Sequence, residues 1–203
     1  MARSVDSALP PDMALFLGNS MPVRYMDCFA FAGRSAQIQA NRGLSGIDGN
    51  IATAVGMGWD TPSGSAALVG DMAALHDINS LALCGNSVSP FLLIIINNRG
   101  GRIFSHLPIA KYADVIEPCF VNPHSFHFEA AAQMFNIEYK RIYEKQELFE
   151  SLKSASNLHN SLILEVMIDH KLNCSVHDSF FTGVTQTLNM QFAKTDQSVA
   201  AGP

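Results

Sequence analysis

Short apolar runs alternate with stretches of helical spacing along most of the chain. Phe91 to Ile96 is apolar at every position, which is typical of a strand buried on both faces. The spacing predicts strands over Ala14 to Leu17, Ser35 to Ala40, Ala66 to Val69, Phe91 to Ile96, Glu138 to Ile142 and Leu162 to Ile168. It predicts helices over Ile47 to Met57, Leu75 to Leu83, Ser125 to Phe135 and Lys145 to Ser154. This alternation indicates an α/β fold, a doubly wound, mainly parallel sheet with helices on both faces.

The pattern weakens at both ends of the chain. Residues 1–12, which include the adjacent Pro10 and Pro11, are interpreted as a leader, and residues 13–170 as the domain. Residues 171–203 are interpreted as an extension, with a mobile end from Lys194 to Pro203. A chain of 203 residues, 48% of them hydrophobic, has room for one domain with a sizeable core.

Composition excludes several classes of function. The net charge is −5 and the 13 basic residues are scattered, which argues against nucleic-acid and anionic-membrane surfaces. No apolar run approaches the roughly 18 residues of a membrane span. The four cysteines are far apart, so a reducing compartment is favoured over a disulfide framework. We expect a cytoplasmic protein, or a plastid one in a photosynthetic eukaryote.

Two polar residues follow neighbouring predicted strands. Asp71 comes after Ala66 to Val69, Asn98 comes after Phe91 to Ile96, and 24 residues separate Met72 from Asn97, about one crossover helix with its loops. A carboxylate and a carboxamide would then meet at one edge of the sheet. Such hard oxygen ligands suit Mg²⁺, and the Gly100 carbonyl would be a third. Taken singly, each motif is also ordinary turn chemistry.

The joint spacing resembles the signature of the thiamine-diphosphate enzyme family, Gly-Asp-Gly followed some two dozen residues later by Asn-Asn. Met72 stands here in place of the second glycine. One branch lacks that glycine, the 2-succinyl-5-enolpyruvyl-6-hydroxy-3-cyclohexene-1-carboxylate synthases of menaquinone and phylloquinone biosynthesis. The resemblance to this branch covers roughly residues 14–170. It is carried by Gly18-Asn19-Ser20 with Arg24, by the specific stretch Asn41 to Gly49, by Leu75 to Asn79 and by Asn97 to Phe104.

The resemblance implies a role for each matching residue. Asp71, Asn98 and the Gly100 carbonyl would hold Mg²⁺, with Mn²⁺ as an alternative, and Ile47 would wedge the cofactor into its bent shape. The implied cofactor-binding set is Asn19, Ser20, Ile47, Gly70, Asp71, Met72, Ala73 and Asn98. The implied catalytic and substrate-binding set is Ser20, Arg24, Arg42, Ile103 and Phe104. The implied substrates, 2-oxoglutarate and isochorismate, are dicarboxylates that suit arginine.

Plainer interpretations remain open beside these roles. Arg24 and Arg42 would otherwise be ordinary surface arginines, and the apolar members of the set would be core residues. Ala73 replaces a serine that is usual in the family, a change worth about 1.5–3 kcal/mol of cofactor binding. His124 and His127, at i and i+3, fit a shared metal less well than surface decoration.

The resemblance also implies a need for a partner. Enzymes of this family take an activating glutamate from a separate pyrimidine-binding domain of another subunit, so Glu117, Glu129 and Glu138 are not assigned that role. We therefore expect a homo- or hetero-oligomer. Two alternatives stay open: a non-catalytic cofactor-binding or assembly module, and another thiamine-diphosphate carboligase of the acetolactate type, which the Asn41 to Gly49 stretch disfavours.

Overall fold

Six parallel strands form one sheet in the described part of the chain. The computed structural model describes residues 1–31, 37–85, 87 and 89–199, with side chains as far as residue 192. The strands, in chain order, are β1 (Ala14–Leu17), β2 (Ile38–Gln39), β3 (Ser65–Gly70), β4 (Phe91–Asn97), β5 (Glu138–Ile142) and β6 (Leu162–Met167). Their order across the sheet is β2-β1-β3-β4-β6-β5, and every pairing is parallel. The expected α/β class with a parallel sheet is confirmed.

Helices connect the strands. They are α1 (Ala2–Ala8), α2 (Met21–Phe29), α3 (Asn50–Gly58), α4 (Asp71–His76), α5 (Ala113–Ile116), α6 (Glu129–Met134), α7 (Lys145–Lys153) and α8 (His170–Val199). Single 3₁₀ turns or short 3₁₀ segments occupy Ile78–Gly85, Arg102–His106, Pro108–Lys111 and Ser154–Asn157, and a π-helical turn occupies Glu117–Val121. No helix among the described residues has the length and apolar character needed to cross a membrane.

The sheet is buried on both faces because its side chains alternate between two cores. In β4, Leu92 and Ile94 face one core, which is closed by α1, α2 and α7. Leu93 and Ile95 face the other, which is closed by α3, α4 and α6. Successive strand residues point to opposite faces, so an uninterrupted apolar strand serves both layers. The doubly wound arrangement follows from this division.

Residues 1–12 lie in the first compact unit of the chain, which extends from Met1 to Ile168. Helix α1 buries Ala2, Val5 and Ala8 in the core formed with α2 and α7. The Asp6 carboxylate also accepts the backbone N–H of Phe31 at 2.6 Å, which ties α1 to the end of α2. The prolines that suggested a leader lie after the helix, where they do not interrupt it.

The chain beyond Ile168 forms a second compact unit. Its helix α8 begins where the Asp169 carboxylate accepts the N–H groups of Lys171 and Leu172 at 2.9 and 3.0 Å, an N-terminal cap that favours helix in spite of the weak apolar periodicity. Within the expected mobile end, the helical backbone continues to Val199, and residues 200–203 lie outside the described residues. Residues 35 and 36 of the expected second strand also lie outside them.

Candidate functional site

The strand order reverses between β1 and β3. The chain passes from β1 outward to β2 and then returns across β1 to β3. In open α/β sheets, ligands bind in the crevice at the carboxyl ends of the strands where such a reversal occurs. Gly18-Asn19-Ser20 follows β1 there and Asp71 follows β3, while the loop after β4 lies on the next strand along. The three segments that carry the predicted site therefore share one edge of the sheet.

Asn19 joins the end of β1 to the Asn41 to Gly49 stretch. Its amide nitrogen donates to the Gly46 carbonyl at 2.8 Å, and its oxygen accepts the Arg42 guanidinium at 2.6 Å. Asn19 itself is only 3% exposed, whereas its partners Arg42 and Gly46 are exposed. Ser20 follows with φ of 73°, a left-handed conformation that turns the chain sharply into α2. Two segments distant in sequence thus form one polar corner.

The buried carboxylate of Asp77, which lies after α4, caps the first turn of helix α3. Asp77 Oδ2 accepts the N–H groups of Ile51 and Ala52 at 2.6 and 3.1 Å, and Asp77 Oδ1 accepts the Ser80 hydroxyl at 2.6 Å. These N–H groups lie in the first turn of α3, where the helix itself offers them no acceptor. Ile47, just before that turn, is half-buried and packs against the core beneath α3. Asp77 therefore sets the position of the segment that carries Ile47.

Asp71 meets the loop that follows β4. Gly70 pairs with Ile96 across the two strands, and the backbone N–H of Gly100 donates to Asp71 Oδ2 at 2.9 Å. Asp71 Oδ1 accepts the N–H of Met72 at 2.8 Å. Asp71 is 2% exposed, and burial raises the pKa of its carboxyl although the hydrogen bonds from Gly100, Met72 and His124 oppose that shift. A buried carboxylate with incomplete compensation is a suitable place for a cation.

His124 lies against the same carboxylate. Its Nε2 is 3.1 Å from Asp71 Oδ2, and its side chain is 5% exposed. Its Nδ1 accepts the N–H of Phe126 at 3.2 Å, which places the proton of the neutral ring on Nε2, facing Asp71. The Phe126 ring stacks on the imidazole at 5.2 Å. The interpretation of His124 as surface decoration is therefore wrong, because the fold buries it beside Asp71.

The loop after β4 adopts a backbone that favours glycine. Arg99 has φ of 63° and Gly100 has φ of 131°. A Cβ at Gly100 would lie 2.6 Å from the Val121 carbonyl oxygen, so the loop leaves no room for a side chain there. Asn98, between β4 and this turn, is half-buried. The Asp71 carboxylate and the backbone of this loop thus meet beside the end of β3.

The remaining predicted residues occupy different environments. Gly70, Met72 and Ala73 line the β3–α4 junction, where Ala73 is buried in the core. Arg24 is exposed on α2. Ile103 and Phe104 are half-buried in the 3₁₀ turn after the Gly100 loop, and the Phe104 ring packs edge-on against Phe120 at 5.3 Å. Among the described residues, no hydrogen bond, ion pair or cation–π contact joins these last two side chains to Arg24 or Arg42.

Sequence reasoning missed a buried carboxylate behind the site. Glu165, in β6, is fully buried and accepts the Asn97 amide at 2.6 Å, the Phe128 N–H at 3.1 Å and the Tyr139 hydroxyl, with His127 Nδ1 at 3.0 Å. Burial raises the pKa of its carboxyl, but these donors together lower it below the ordinary value. A lone glutamate inside the apolar run Leu162 to Met167 was the available signal, since such a position is rarely charged without partners.

Comparison with known proteins points to one family. A family model described as "Thiamine pyrophosphate enzyme, C-terminal TPP binding domain" matches residues 21–166. This span includes β2 to β5, the Asp71 junction and the loop after β4, and nearly all of β6.

Curated relatives agree with that match. The chain is 44% identical over 178 residues to a 2-succinyl-5-enolpyruvyl-6-hydroxy-3-cyclohexene-1-carboxylate synthase of Chlorobium phaeovibrioides, which covers 87% of this chain and 30% of the relative. Proteins of the same name from Actinobacillus succinogenes and Chlorobaculum tepidum are 42% and 38% identical, over 82% and 97% of this chain and 29% and 33% of each relative. The chain thus spans about a third or less of the length of these relatives.

Proposed function

Because the chain belongs to the thiamine pyrophosphate enzymes, through the C-terminal cofactor-binding domain of that family, we propose that it supplies the diphosphate- and Mg²⁺-binding part of a synthase of menaquinone or phylloquinone biosynthesis. That synthase decarboxylates 2-oxoglutarate and adds the succinyl unit to isochorismate. The relatives at 38–44% identity all carry the corresponding synthase name. The pyrimidine-binding domain that completes the cofactor site comes from another chain.

The contact between Gly100 and Asp71 carries the proposal. It brings the loop after β4 onto the carboxylate at the end of β3, with 2.9 Å between the Gly100 nitrogen and Asp71 Oδ2. Gly100 has a φ of 131°, a backbone conformation that residues with a side chain rarely adopt. A backbone held in place by such a contact reduces the ordering cost of binding an ion.

The donor set fits Mg²⁺. Asp71 has a lone pair left on Oδ1 after accepting Met72 N–H, and its buried charge needs a cation. Asn98 supplies a carboxamide oxygen and Gly100 a backbone carbonyl, so every protein ligand is a hard oxygen. With a single carboxylate, the site leaves positions for diphosphate oxygens and water, as Mg²⁺ sites usually do.

The other residues orient the cofactor and substrates. When bound, thiamine diphosphate supplies the carbanion chemistry that decarboxylation and carbon–carbon bond formation require. Ile47 stands at the end of a segment that Asn19 and Asp77 hold in place, which suits a rigid apolar support for the cofactor rings. Arg42, held by Asn19, presents a guanidinium for a substrate carboxylate. Arg24 would serve a second carboxylate from α2.

Reconstitution tests the proposal. The chain is mixed with the pyrimidine-binding portion of a relative, thiamine diphosphate and Mg²⁺, and CO₂ release from 2-oxoglutarate is followed with and without isochorismate. We expect turnover that depends on both chains. Cofactor binding without turnover across several such portions would favour a non-catalytic cofactor-binding module, and turnover with pyruvate in place of 2-oxoglutarate would favour an acetolactate-type carboligase.

A further inference from the structure

Behind the proposed metal site, the chain buries a carboxylate that the proposed function does not use. Glu165 is fully buried in β6, between β4 and β5, where its neighbours Leu164 and Val166 are apolar. Removing a carboxylate from water costs several kcal/mol unless hydrogen bonds and countercharges compensate it. A valine or isoleucine would fill this strand position without that cost. The carboxylate accepts hydrogen bonds that an apolar side chain could not accept.

Glu165 holds the loop after β4 through Asn97. The Asn97 amide nitrogen donates to Glu165 Oε1 at 2.6 Å, and the Asn97 oxygen accepts the Arg99 N–H at 3.1 Å. Arg99 is the residue with φ of 63° that turns the chain toward Gly100. The Glu165 acceptor leaves the Asn97 carboxamide only one orientation, with its oxygen toward the loop. This series of contacts, from Glu165 through Asn97 and Arg99, is the first arm, and it ends where the Gly100 N–H donates to Asp71.

Glu165 also holds the segment 124–128. Its Oε2 accepts the Phe128 N–H at 3.1 Å, and its Oε1 contacts His127 Nδ1 at 3.0 Å. The Asn97 amide donates to the Phe126 carbonyl at 3.0 Å, which joins this segment to the first arm. The segment begins with His124, whose Nε2 meets Asp71 Oδ2. Both arms that leave Glu165 therefore arrive at the same carboxylate.

We propose that Glu165 is a positioning residue. In the described part of the chain no hydrogen bond joins it directly to Asp71, but through Asn97 and Phe128 it fixes the Asn98 to Gly100 loop and His124 around Asp71. On the β5 side the carboxylate is balanced by the Tyr139 hydroxyl and by Arg141, whose Nε lies 3.7 Å away. Its importance for cofactor binding rests on the proposed function, but its effect on the two segments does not.

Amide exchange measured by NMR in the metal-free chain tests the positioning directly. Glu165→Gln keeps the side-chain shape but places an NH₂ group against donors, whichever way the amide turns, since Oε1 faces Asn97 and Oε2 faces the Phe128 N–H. Glu165→Met removes every acceptor. The reference is the Leu15 amide, which donates to the Gln37 carbonyl at 2.9 Å. Relative to it, we expect at least one of the Arg99, Gly100 and Phe128 amides to exchange about tenfold faster or more in Glu165→Gln. In Glu165→Met we expect all three to do so.

Tyr139→Phe is the matched control. It removes a donor to the same carboxylate but leaves both arms intact, so those amides should change by less than about twofold relative to Leu15. Mg²⁺-dependent cofactor affinity should fall about 10- to 100-fold in Glu165→Gln and stay within about twofold in Tyr139→Phe.

The outcomes separate this proposal from the proposed function. Unchanged exchange in both segments of Glu165→Gln would overturn the positioning role, whatever the cofactor does. Faster exchange with unchanged cofactor affinity would also overturn it, because Glu165 would then be a purely structural residue. Faster exchange in a chain whose unsubstituted form binds no cofactor would refute the proposed function alone.

Discussion

The cap that Asp77 places on α3 can be tested by removing it. Asp77→Ala deletes the acceptor of two backbone N–H groups and of the Ser80 hydroxyl. Ile51 is fully buried, so its N–H cannot turn to water, whereas Ala52 is half-buried and recovers part of its solvation. A hydrogen bond to a charged group is worth about 1.5–3 kcal/mol and a helix cap about 1–2 kcal/mol. We therefore expect a loss of about 2–4 kcal/mol in the free energy of unfolding.

Urea denaturation measures this loss. The chain has a single tryptophan, Trp59, which directly follows α3 and reports on that helix, and far-UV circular dichroism checks that the transition is two-state. Asp77→Asn retains one acceptor oxygen and should lose about half as much. Asp60→Ala, on an exposed carboxylate next to Trp59, should change stability by less than about 0.5 kcal/mol. The cap is refuted as the support of α3 if Asp77→Ala costs no more than Asp60→Ala.

Three further predictions concern the same edge of the sheet. Gly100→Ala should lower the free energy of unfolding by on the order of 2–3 kcal/mol, because of the φ of 131° and the nearby Val121 carbonyl, whereas Gly70→Ala, which meets nothing within 4 Å, should change it by under about 1 kcal/mol. The pKa of the Asp71 carboxyl is raised in the folded state, so the folded state prefers the protonated form. In metal-free buffer, Asp71→Asn should therefore gain stability relative to the original chain as pH rises from about 4 through that raised pKa. A stability difference between the two chains that does not depend on pH would contradict the raised pKa. The pKa of the Glu165 carboxyl is lowered, so the pH dependence is the opposite: its stabilisation is present above about pH 4.3 and is lost as pH falls through the lowered pKa. Glu165→Gln should therefore make stability fall less steeply with decreasing pH on the acid side. An equally steep fall in the variant would contradict the lowered pKa.

The strands were the most predictable part of the fold. Apolar runs such as Phe91 to Ile96 depend only on burial of both faces, and the strand of Glu138–Ile142 was predicted with its observed bounds. The family resemblance and the α/β class are also confirmed. Both could be predicted because they depend on short stretches of sequence and on the spacing between them.

Helix bounds were less predictable where a distant side chain takes a backbone group. The helix predicted over Leu75 to Leu83 is observed as α4 ending at His76, because Asp77 turns its carboxylate to α3 and the chain continues as 3₁₀ helix. The helix predicted from Ser125 starts only at Glu129, because the Phe128 N–H is bonded to Glu165. Contacts between residues 25 or more positions apart leave no periodic signal in the sequence.

The same limit applies to the candidate site. The spacing of Asp71 and Asn98 pointed to a shared edge, and parallel pairing of β3 with β4 makes that edge common to both. The contacts of His124 with Asp71 and of Asn97 with Glu165 depend on which strands become neighbours, so composition and spacing could not reveal them. The metal, cofactor and substrate roles of the individual residues stay predictions.

Anomalous diffraction from crystals grown with thiamine diphosphate and Mn²⁺ tests the central claim most directly. Mn²⁺ substitutes for Mg²⁺ at oxygen sites and can be located by its anomalous signal. We expect one strong peak about 2.0–2.3 Å from a carboxylate oxygen of Asp71, the carboxamide oxygen of Asn98 and the carbonyl oxygen of Gly100, and no such peak in Asp71→Ala. A peak bound elsewhere, or one that survives in Asp71→Ala, would contradict the account.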